Sequence, residues 1–345
     1  MKKDILALDL TELTNEITAL GLPKFRATQI YRWLHKVGVT SFSEMTDLSL
    51  SLRETLDDSF VIFSCYIEKK LVSEYDSTMK YLFKLHDGEF VESVLMKYKY
   101  GYTVCVSSQV GCRMGCKFCA STLSGVVRNL SASEILSQIY AIQRDNDIRV
   151  SHIVMMGMGE PLDNYDNVIK FLHLISDENG LNISMRHISL STCGVVTGIY
   201  KLMEENLPLT LSISLHAPTD EIRTSMMPVN KKWNIAQLIK ACKDYTQKTS
   251  RRISFEYALV SGVNDSVESA KKLGSLLKGM LCHINLIPVN EVKETGCKES
   301  SPADVKRFAA TLEKMGFAVT VRRKLGSDID AACGQLRRNT IKNER

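Results

Sequence analysis

The sequence lacks the features that would place the protein in a membrane or outside the cell. It contains no apolar run approaching the roughly 20 residues that a membrane-spanning helix needs. Asp4 and Asp9 interrupt the stretch that would have to be the apolar part of a secretory signal peptide. Low-complexity segments and internal repeats are also missing. These absences predict a cytoplasmic globular protein that has no contact with a membrane.

The spacing of apolar residues divides the chain of 345 residues into three regions. Residues 1–55 carry apolar side chains at helical spacing, and residues 56–100 alternate like short strands with Asp87-Gly88 as a hairpin signal. From Tyr102 onward, strands alternate with helices, which indicates a parallel sheet because such strands need helical crossovers. The predicted strands are 102–108, 150–156, 186–192, 209–215, 252–260 and 282–288. The predicted helices include 131–145, 163–176, 234–248, 265–278 and 302–315, and a last strand, FAVTVRR, follows the last of these helices.

Three clustered cysteines are the strongest chemical signal. The chain has ten cysteines, and structural disulfides are rare in the cytoplasm, so clustered thiols indicate metal binding or catalysis. Cys112, Cys116 and Cys119 form CxxxCxxC directly after the first strand of the alternating region. A zinc knuckle would need a fourth ligand, often from a second CxxC pair, and no such pair follows. The spacing therefore favours an iron–sulfur cluster with one iron open to another ligand, and a zinc knuckle is the weaker alternative.

Glycines and polar residues follow the later strands. The segment MMGMGEPL contains Gly157 and Gly159, which would allow a ligand to approach the backbone closely. Glu160 in the same segment would bind a positively charged group. Active sites of βα barrels lie at the carboxyl ends of the strands, so further polar residues at strand ends indicate a ligand pocket. These further residues are Ser191, Ser214, His216 and Asn290.

Two cysteines outside the cluster motif stand apart from the rest. Cys105 lies on the first strand, seven residues before the motif. Cys333 lies in GSDIDAACGQL, beside Gly334 and between basic residues, and such surroundings favour a reactive thiolate. The other five cysteines are expected to be small buried apolar residues: Cys65, Cys193, Cys242, Cys282 and Cys297.

CxxxCxxC with the aromatic Phe118 before the last cysteine resembles the signature of radical SAM enzymes, which use a [4Fe–4S] cluster and S-adenosylmethionine (SAM). MGMGEPL resembles the GGEP motif of that superfamily, which holds the methionine amine of SAM. The motifs CVSSQVGC, SISLHAP, GVNDS, HINLIP and DIDAACGQL, in this order, together with LPKFRATQIYRWLHK, resemble the RlmN/Cfr family of radical SAM RNA methyltransferases. The resemblance extends over about residues 20–336.

The resemblance implies an α/β fold, namely a radical SAM partial (βα)6 barrel with a small N-terminal helical module and a short β extension. The implied parts are an RNA-binding helical module (1–55), a β-rich connecting segment (56–100), the core barrel (101–325), and a loop with the catalytic cysteine followed by a basic tail (326–345).

The resemblance also implies roles for single residues. Cys333 would be the S-methylated cysteine, Cys105 the second catalytic thiol that pairs transiently with Cys333, and Glu92, in EFVESVLM, the acid/base residue. The cluster ligands would be Cys112, Cys116 and Cys119. The residues in contact with SAM would be Gly159, Glu160, Ser191, Ser214, Leu215, His216 and Asn290.

The family chemistry explains the need for two thiols. The C2 carbon of adenine is not a nucleophile, so ordinary methyl transfer from SAM fails. In the family, Cys333 takes a methyl group from one SAM, and reductive cleavage of a second SAM turns that methyl group into a carbon radical that adds to the base. Thiolate attack by Cys105 on the Cys333 sulfur would then free the product and leave a disulfide.

The implied substrates are a specific adenine of 23S rRNA and an adenine of the tRNA anticodon loop, both methylated at C2. Basic residues in 24–36 and in 322–345, where seven Lys or Arg accompany three acids, would hold RNA phosphates. An external electron donor of the flavodoxin or ferredoxin type would supply electrons, and the expected oligomeric state is a monomer.

Two alternatives have different consequences. The Cfr branch of the family methylates adenine at C8, and Pro161 together with the SDIDAACGQLR context favours the C2 branch. A non-catalytic iron–sulfur or zinc protein that binds RNA would need neither Cys105 nor Cys333.

Overall fold

The computed structural model describes residues 2–289 and 297–329. Two of the predicted site residues, Asn290 and Cys333, lie outside the described residues. The N-terminal part is helical, as predicted. Its first helix begins at a capping box, in which the Asp9 carboxylate accepts a hydrogen bond from the Glu12 backbone N–H and the Glu12 side chain accepts one from the Asp9 backbone. The elements of this part are β1 (Lys3–Asp4), α1 (Leu10–Ala19), α2 (Phe25–Arg32), α3 (Leu50–Ser59) and β2 (Phe60–Val61).

A mixed sheet of ten strands forms the body of the molecule. Its parallel part contains the six predicted strands, and the predicted last strand adds a seventh at one edge. Three antiparallel strands continue the sheet at its other edge. The second and third of them along the chain are joined by a hairpin turn in which Gly88 adopts φ +85°. The strands are β3 (Tyr66–Val72), β4 (Met79–Lys84), β5 (Phe90–Tyr98), β6 (Gly101–Cys105), β7 (Gln109–Gly111), β8 (Val126–Asn129), β9 (Val150–Met155), β10 (Ile188–Thr192), β11 (Thr210–Ser214), β12 (Ile253–Leu259), β13 (Cys282–Pro288) and β14 (Val319–Val321).

The order of strands in the large sheet is β14-β13-β12-β11-β10-β9-β6-β5-β4-β3, while β7 and β8 form a separate hairpin. The register couples strands of the predicted connecting segment to the barrel, since Val94 on β5 pairs with Cys105 on β6. The antiparallel extension and the barrel therefore share one sheet, and residues from both can line the same cavity.

Helices connect the parallel strands. The predicted capping box of Ser131 and Glu134 is present at the first of them. Two helices of this region, α6 (Val196–Glu205) and α7 (Asp220–Met226), were not predicted, and they are its two shortest. The helices are α4 (Ala132–Asn146), α5 (Tyr165–Ser176), α6 (Val196–Glu205), α7 (Asp220–Met226), α8 (Ile235–Thr249), α9 (Val267–Leu277) and α10 (Pro302–Lys314). Among the described residues, none of the helices has both the length and the apolar character that crossing a membrane requires.

Candidate active site

A cavity of about 370 Å³ lies at the carboxyl ends of the parallel strands. Its size falls within the range of small-molecule sites in proteins. Ten of the thirteen predicted site residues line it: Glu92, Cys105, Cys112, Cys116, Cys119, Gly159, Glu160, Ser191, Ser214 and His216. The position agrees with the general rule that ligands of parallel α/β folds bind beyond the carboxyl ends of the strands.

The three motif cysteines sit on one closed loop between β7 and β8. The backbone N–H of Cys112 donates to the carbonyl oxygen of Gly125 at 3.0 Å, which joins the two ends of the loop. Cys112, Cys116 and Cys119 all line the cavity. Phe118, expected to shield a cluster, also lines it and packs edge-on against the His216 ring at 5.0 Å between centroids.

The donor set of this loop fits an iron–sulfur cluster. Burial raises the pKa of all three thiols, to about 12 for Cys112, so a thiolate in this environment needs a bound cation. Within residues 2–289 and 297–329, no group of three or more His, Cys, Asp or Glu side chains converges as a single metal ion would require. Three thiol donors on one loop match a cluster that keeps one iron open, whereas a structural zinc site would need a fourth ligand.

Gly157 and Gly159 of MGMGEPL pack closely against residues 106–109. A Cβ on Gly157 would lie 2.6 Å from the Val106 carbonyl oxygen, and one on Gly159, where φ is +102°, would lie 2.6 Å from the Gln109 side chain. Both positions therefore require glycine because of the segment that follows β6. This crowding adds a packing reason to the predicted close approach of a ligand.

Glu160 is buried at the wall of the cavity. Its carboxylate accepts hydrogen bonds from the backbone N–H groups of Leu162 and Cys193, at 3.1 and 2.7 Å. Burial raises its pKa, and the hydrogen bond from Cys193 opposes that rise. A carboxylate held in this way can bind an ammonium group of a ligand, which would favour its charged form.

The predicted SAM-binding residues at the strand ends differ in their hydrogen bonds and in whether they line the cavity. The hydroxyl oxygens of Ser191 and Ser214 lie 3.4 Å apart on neighbouring strands and line the cavity. The His216 Nδ1 accepts from the Ala258 N–H at 2.9 Å, and burial lowers its pKa to about 3, so the ring is neutral. The Leu215 side chain is fully buried and is not among the residues that line the cavity.

Cys105 and Glu92 lie on adjacent strands and line the cavity together. Burial raises the pKa of Cys105 to about 11, while the positive charge of Arg322 opposes that rise. The Glu92 Oε1 lies 3.4 Å from the Nζ of Lys80, and both side chains are almost completely buried. The sequence analysis missed Lys80, because nothing in the pattern of β4 predicted that it faces the cavity.

A buried hydrogen-bond network behind the cavity was also missed. The Ser107 hydroxyl donates to the Glu92 carbonyl oxygen at 2.6 Å and accepts from the Met158 N–H at 2.9 Å. The Gln138 side chain accepts from the Ser107 N–H and donates to the Ser107 carbonyl oxygen. The network ties β5, α4 and the glycine-rich segment together. The network gives Ser107, the first serine of CVSSQVGC, a structural role that its position in the motif does not indicate.

The Arg223 side chain holds the carboxyl ends of β10 and β11 in place. Its guanidinium donates to the carbonyl oxygens of Cys193, at 2.6 Å, and Leu215, at 3.1 Å, and to the Asn230 side chain. The side chain is fully buried. Cys193, expected to be only a buried apolar residue, lines the cavity as well.

Basic residues predicted to bind RNA divide into exposed and buried ones. Arg322, Arg323 and Lys324, which follow β14, line the cavity. In the N-terminal module, Lys24, Arg32 and Lys36 are exposed. The prediction that the basic side chains of residues 24–36 hold RNA phosphates is wrong for His35, which lies in that segment. It is fully buried, its Nδ1 lies 3.0 Å from the Tyr140 hydroxyl, and burial lowers its pKa to about 3.

Two family models match the chain. Residues 106–273 match the radical SAM superfamily, and residues 3–62 match the N-terminal domain of ribosomal RNA large subunit methyltransferases. The first match covers the cysteine loop, the glycine-rich segment and most of the parallel strands. The second covers the three N-terminal helices.

Similar proteins match along nearly the whole chain. A probable dual-specificity RNA methyltransferase RlmN from Clostridium novyi is 54% identical over 99% of this chain and 99% of its own length. A protein of the same description from Desulforamulus reducens is 55% identical over 98% of this chain and 96% of its own. A crystal structure of a radical SAM methyltransferase from Sphaerobacter thermophilus superposes with a TM-score of 0.93 at 40% identity, covering 96% of this chain and 98% of that one.

Proposed function

The chain belongs to the RlmN family of radical SAM RNA methyltransferases, and we propose that it methylates C2 of adenine in 23S rRNA and in tRNA. The observation that carries the proposal is that Cys105 lines the same cavity as the three motif cysteines, although it lies outside their motif. A protein that only bound a cluster and RNA would have no use for Cys105 there.

The superfamily uses a [4Fe–4S] cluster and SAM, so these are the cofactors of this chain. We assign Cys112, Cys116 and Cys119 as the cluster ligands. The cluster, when bound, supplies the electron for reductive cleavage of SAM. Glu160, with its carboxylate fixed by two backbone N–H groups, would bind the ammonium group of SAM. The other proposed SAM contacts are Gly159, Ser191, Ser214, Leu215, His216 and Asn290, of which Asn290 lies outside the described residues.

The residues of the chain then position the methyl carrier and the base. Cys333 would carry the methyl group, and five residues before it Asp328 is hydrogen-bonded to the turn between β3 and β4. Cys105, as thiolate, would attack the Cys333 sulfur and form a Cys105–Cys333 disulfide. The bond between the Cys333 sulfur and the carbon attached to the base would break, and that carbon would take up a proton to become the methyl group of the released RNA. Glu92 would accept the proton that leaves C2. Its position on the strand next to Cys105 supports this role.

The RNA would reach the cavity with its target base unstacked, as other base-modifying enzymes require. Arg322, Arg323 and Lys324 supply positive charge at the cavity wall. Lys24, Arg32 and Lys36 supply it on the N-terminal module. Phosphate contacts of this kind position an RNA without reading its sequence, which suits a protein with two RNA substrates. The same proposal places the enzyme in the cytoplasm and treats it as a monomer.

Methylation at C2 is favoured over methylation at C8 because the relatives are probable dual-specificity RNA methyltransferases of the RlmN type. Pro161 and the DIDAACGQLR segment of this sequence point the same way. The C8 reaction of the Cfr type would use the same thiols and is therefore distinguished by its product.

A reconstituted reaction tests the proposal. The protein is purified without oxygen, supplied with SAM, dithionite and unmodified RNA, and the nucleosides are analysed by mass spectrometry. We expect 2-methyladenosine from the wild type and none from Cys333→Ala, while Cys242→Ala, a buried thiol far from the motif in sequence, retains activity. Methylation by Cys333→Ala at the wild-type rate would contradict the assigned role, and 8-methyladenosine would move the protein to the other branch.

A further inference from the structure

A second cavity, of about 360 Å³, opens at the amino ends of the parallel strands. Thr210, the first residue of β11, lines it, whereas Ser214, the last residue of the same strand, lines the reaction cavity. The two cavities therefore lie at opposite ends of the strands. We call the second one the amino-end cavity. Its wall comes from the end of α8 and from the starts of three neighbouring strands, through Thr210, Ser250, Arg251, Arg252, Ser254 and His283.

The register of the sheet places these residues on its inner face. Ser254 on β12 pairs with Ser212 on β11 and with His283 on β13. Paired residues point to the same face of a sheet, as do residues two apart on one strand. Thr210 and Glu256 therefore share the face of Ser254, and Glu256 lines the reaction cavity. The amino-end cavity is thus the other mouth of the same barrel interior.

Two arginines give the amino-end cavity a positive charge. The Nε of Arg251 donates to the carbonyl oxygen of Leu209 at 2.8 Å, which orients its guanidinium group. Within the part of the chain that the structure describes, neither Arg251 nor Arg252 takes part in an ion pair. The planar guanidinium group matches the oxygens of a phosphate with two parallel hydrogen bonds. Their charge is therefore available to an anion.

His283 completes the wall of the amino-end cavity on β13. Its Nε2 lies 2.8 Å from the hydroxyl oxygen of Thr320. Burial lowers the pKa of His283, and the positive charge of Arg252 lowers it further. The guanidinium group of Arg252 is thus close enough to the ring to oppose its protonation, and an anion bound beside both would relieve that repulsion. The hydroxyl groups of Thr210 and Ser250 add neutral donors to the same wall.

No acid is present among the described residues that line the amino-end cavity. The carboxylate nearest to Arg252 along the chain, that of Glu256, belongs to the reaction cavity. Its two oxygens accept hydrogen bonds from the Ser254 hydroxyl at 3.0 Å and from the Asn285 side chain at 2.7 Å. Cations and hydroxyl groups without a carboxylate suit an anion and do not suit a metal ion.

We propose that the amino-end cavity is a phosphate-binding site. Arg251 and Arg252 supply the charge, and the side chains of Thr210, Ser250 and His283 supply further hydrogen-bond donors. Two kinds of ligand carry this chemistry, namely the backbone of an RNA and a free phosphorylated small molecule. The site lies away from the thiols and does not rest on the proposed function.

Calorimetric titration with inorganic phosphate tests the site. The full chain is purified without oxygen in a phosphate-free buffer of low ionic strength, and iron content and circular dichroism are measured first for each variant. The test variants are Arg252→Gln and His283→Ala, which change two neighbouring strands. The matched control is Arg149→Gln, which removes the same charge at an exposed arginine before β9, a strand separated from β12 by β10 and β11.

We expect the wild type and Arg149→Gln to bind phosphate with affinities within about twofold of each other. Arg252→Gln should bind it at least about tenfold more weakly, because a charge-assisted pair of hydrogen bonds is lost. His283→Ala should bind it about threefold more weakly, as the loss of one neutral hydrogen bond predicts. Added sodium chloride should weaken binding to the wild type, since the cavity is open to solvent and its charges are screened.

Titration of a labelled, unmodified RNA hairpin at several salt concentrations identifies the source of the phosphate. If the site binds the RNA backbone, Arg252→Gln weakens RNA binding, lowers the salt slope by about one, and inorganic phosphate competes with the RNA. If the site binds a small molecule, RNA binding is the same in Arg252→Gln and the wild type, although phosphate binding falls.

Equal phosphate affinity in the wild type and Arg252→Gln overturns the proposal. Absence of saturable phosphate binding by the wild type at millimolar concentrations overturns it as well. Neither result bears on the proposed methyl transfer, which is measured by the methylated nucleoside.

Discussion

Lys80 and Glu92 are two opposite charges enclosed in the wall of the reaction cavity. Their side chains are 0% and 4% exposed, and Nζ lies 3.4 Å from Oε1. Two charges removed from water cost several kcal/mol each, and their attraction offsets that cost only when both are present. The ion pair therefore links the position of the Glu92 carboxylate on β5 to that of Lys80 on the neighbouring strand β4.

Replacing Lys80 by Met should expose this dependence. We expect the free energy of unfolding to fall by about 3–5 kcal/mol, because the buried Glu92 carboxylate loses the opposite charge that lies 3.4 Å away. Release of methylated RNA should slow, so that a covalent protein–RNA conjugate accumulates on denaturing gels. Lys80→Arg, which keeps the charge, is the matched control. If Lys80→Met/Glu92→Gln is as unstable as Lys80→Met alone, the two charges are not coupled in this way.

The proposed attack of the Cys105 thiolate on the Cys333 sulfur should depend on pH. Burial raises its pKa to about 11, Arg322 opposes the rise, and Glu92 adds to it. Only the thiolate attacks a sulfur, so at neutral pH a small fraction of Cys105 is reactive. We expect the rate of product release from the isolated protein–RNA conjugate to rise about tenfold for each pH unit from pH 7 to 9.

Single-turnover release assays at several pH values measure this. Arg322→Met removes the charge that lowers the pKa of Cys105, so its release should be slower at each pH. A release rate that does not change across this range would mean that ionisation of Cys105 does not control the step.

Among the elements, the glycine-rich segment after β9 shows how packing and ligand binding share one sequence. Gly159 combines a positive φ with contact to Gln109, whose side-chain oxygen accepts from the Glu160 N–H at 2.8 Å. Any displacement at Gly159 is therefore passed to the residue proposed to bind the SAM ammonium group. Backbone strain and ligand affinity should change together at this turn.

A pair of glycine substitutions separates crowding from strain. Gly88 also has positive φ, but a Cβ there meets nothing within 4 Å. We expect Gly88→Ala to lower the free energy of unfolding by about 1 kcal/mol, and Gly159→Ala to lower it by about 3 kcal/mol or more and to abolish SAM binding. Urea denaturation and equilibrium dialysis with labelled SAM measure these losses. Equal losses at the two positions would show that the crowding at Gly159 has no effect.

The elements that sequence reasoning found were those with strong periodicity. All seven parallel strands were predicted to within a few residues, because buried strands in a parallel sheet are continuous apolar runs. Helix α7 was missed because it has only seven residues, of which Arg223 is the largest buried one. A buried arginine looks like a surface residue in a sequence. Lys80 was missed for the same reason, since its burial depends on a carboxylate from another strand.

The site was predictable to the extent that short motifs carry it. The side chains that belong to short motifs and line the cavity are Cys105, Cys112, Cys116, Cys119, Glu160, Ser191 and Ser214. Ser107, Gln138 and Arg223 act through contacts between distant segments, and nothing in their local sequence indicates those contacts. Motif reasoning therefore found side chains that line the cavity, whereas the side chains that hold them in place needed the structure.

Across the whole molecule, the two edges of the large sheet are connected by the segment after β14. Although β14 and β3 are at opposite edges, Asp328 accepts from the Ser73 hydroxyl at 2.7 Å and from the Glu74 N–H at 2.8 Å. The Gly326 N–H donates in turn to Asp76 at 2.8 Å. The segment thus spans the opening of the partial barrel and carries Arg322 to the cavity. It also leads to Cys333.

Asp328→Asn should loosen this connection. We expect faster hydrogen exchange at the backbone N–H groups of residues 73–78 and 322–329, because an amide accepts these hydrogen bonds less strongly than a carboxylate. Methyl transfer should slow more than SAM cleavage does. The control is Asp58→Asn, at another exposed aspartate. Unchanged exchange in both segments would contradict the proposed connection.

The most direct test of the central claim is nucleoside mass spectrometry on 23S rRNA and tRNA from cells with and without the gene. The account predicts that 2-methyladenosine disappears from both RNA pools on deletion and returns when the wild-type gene, but not the Cys333→Ala gene, is supplied. Retention of 2-methyladenosine in both pools after deletion would contradict it.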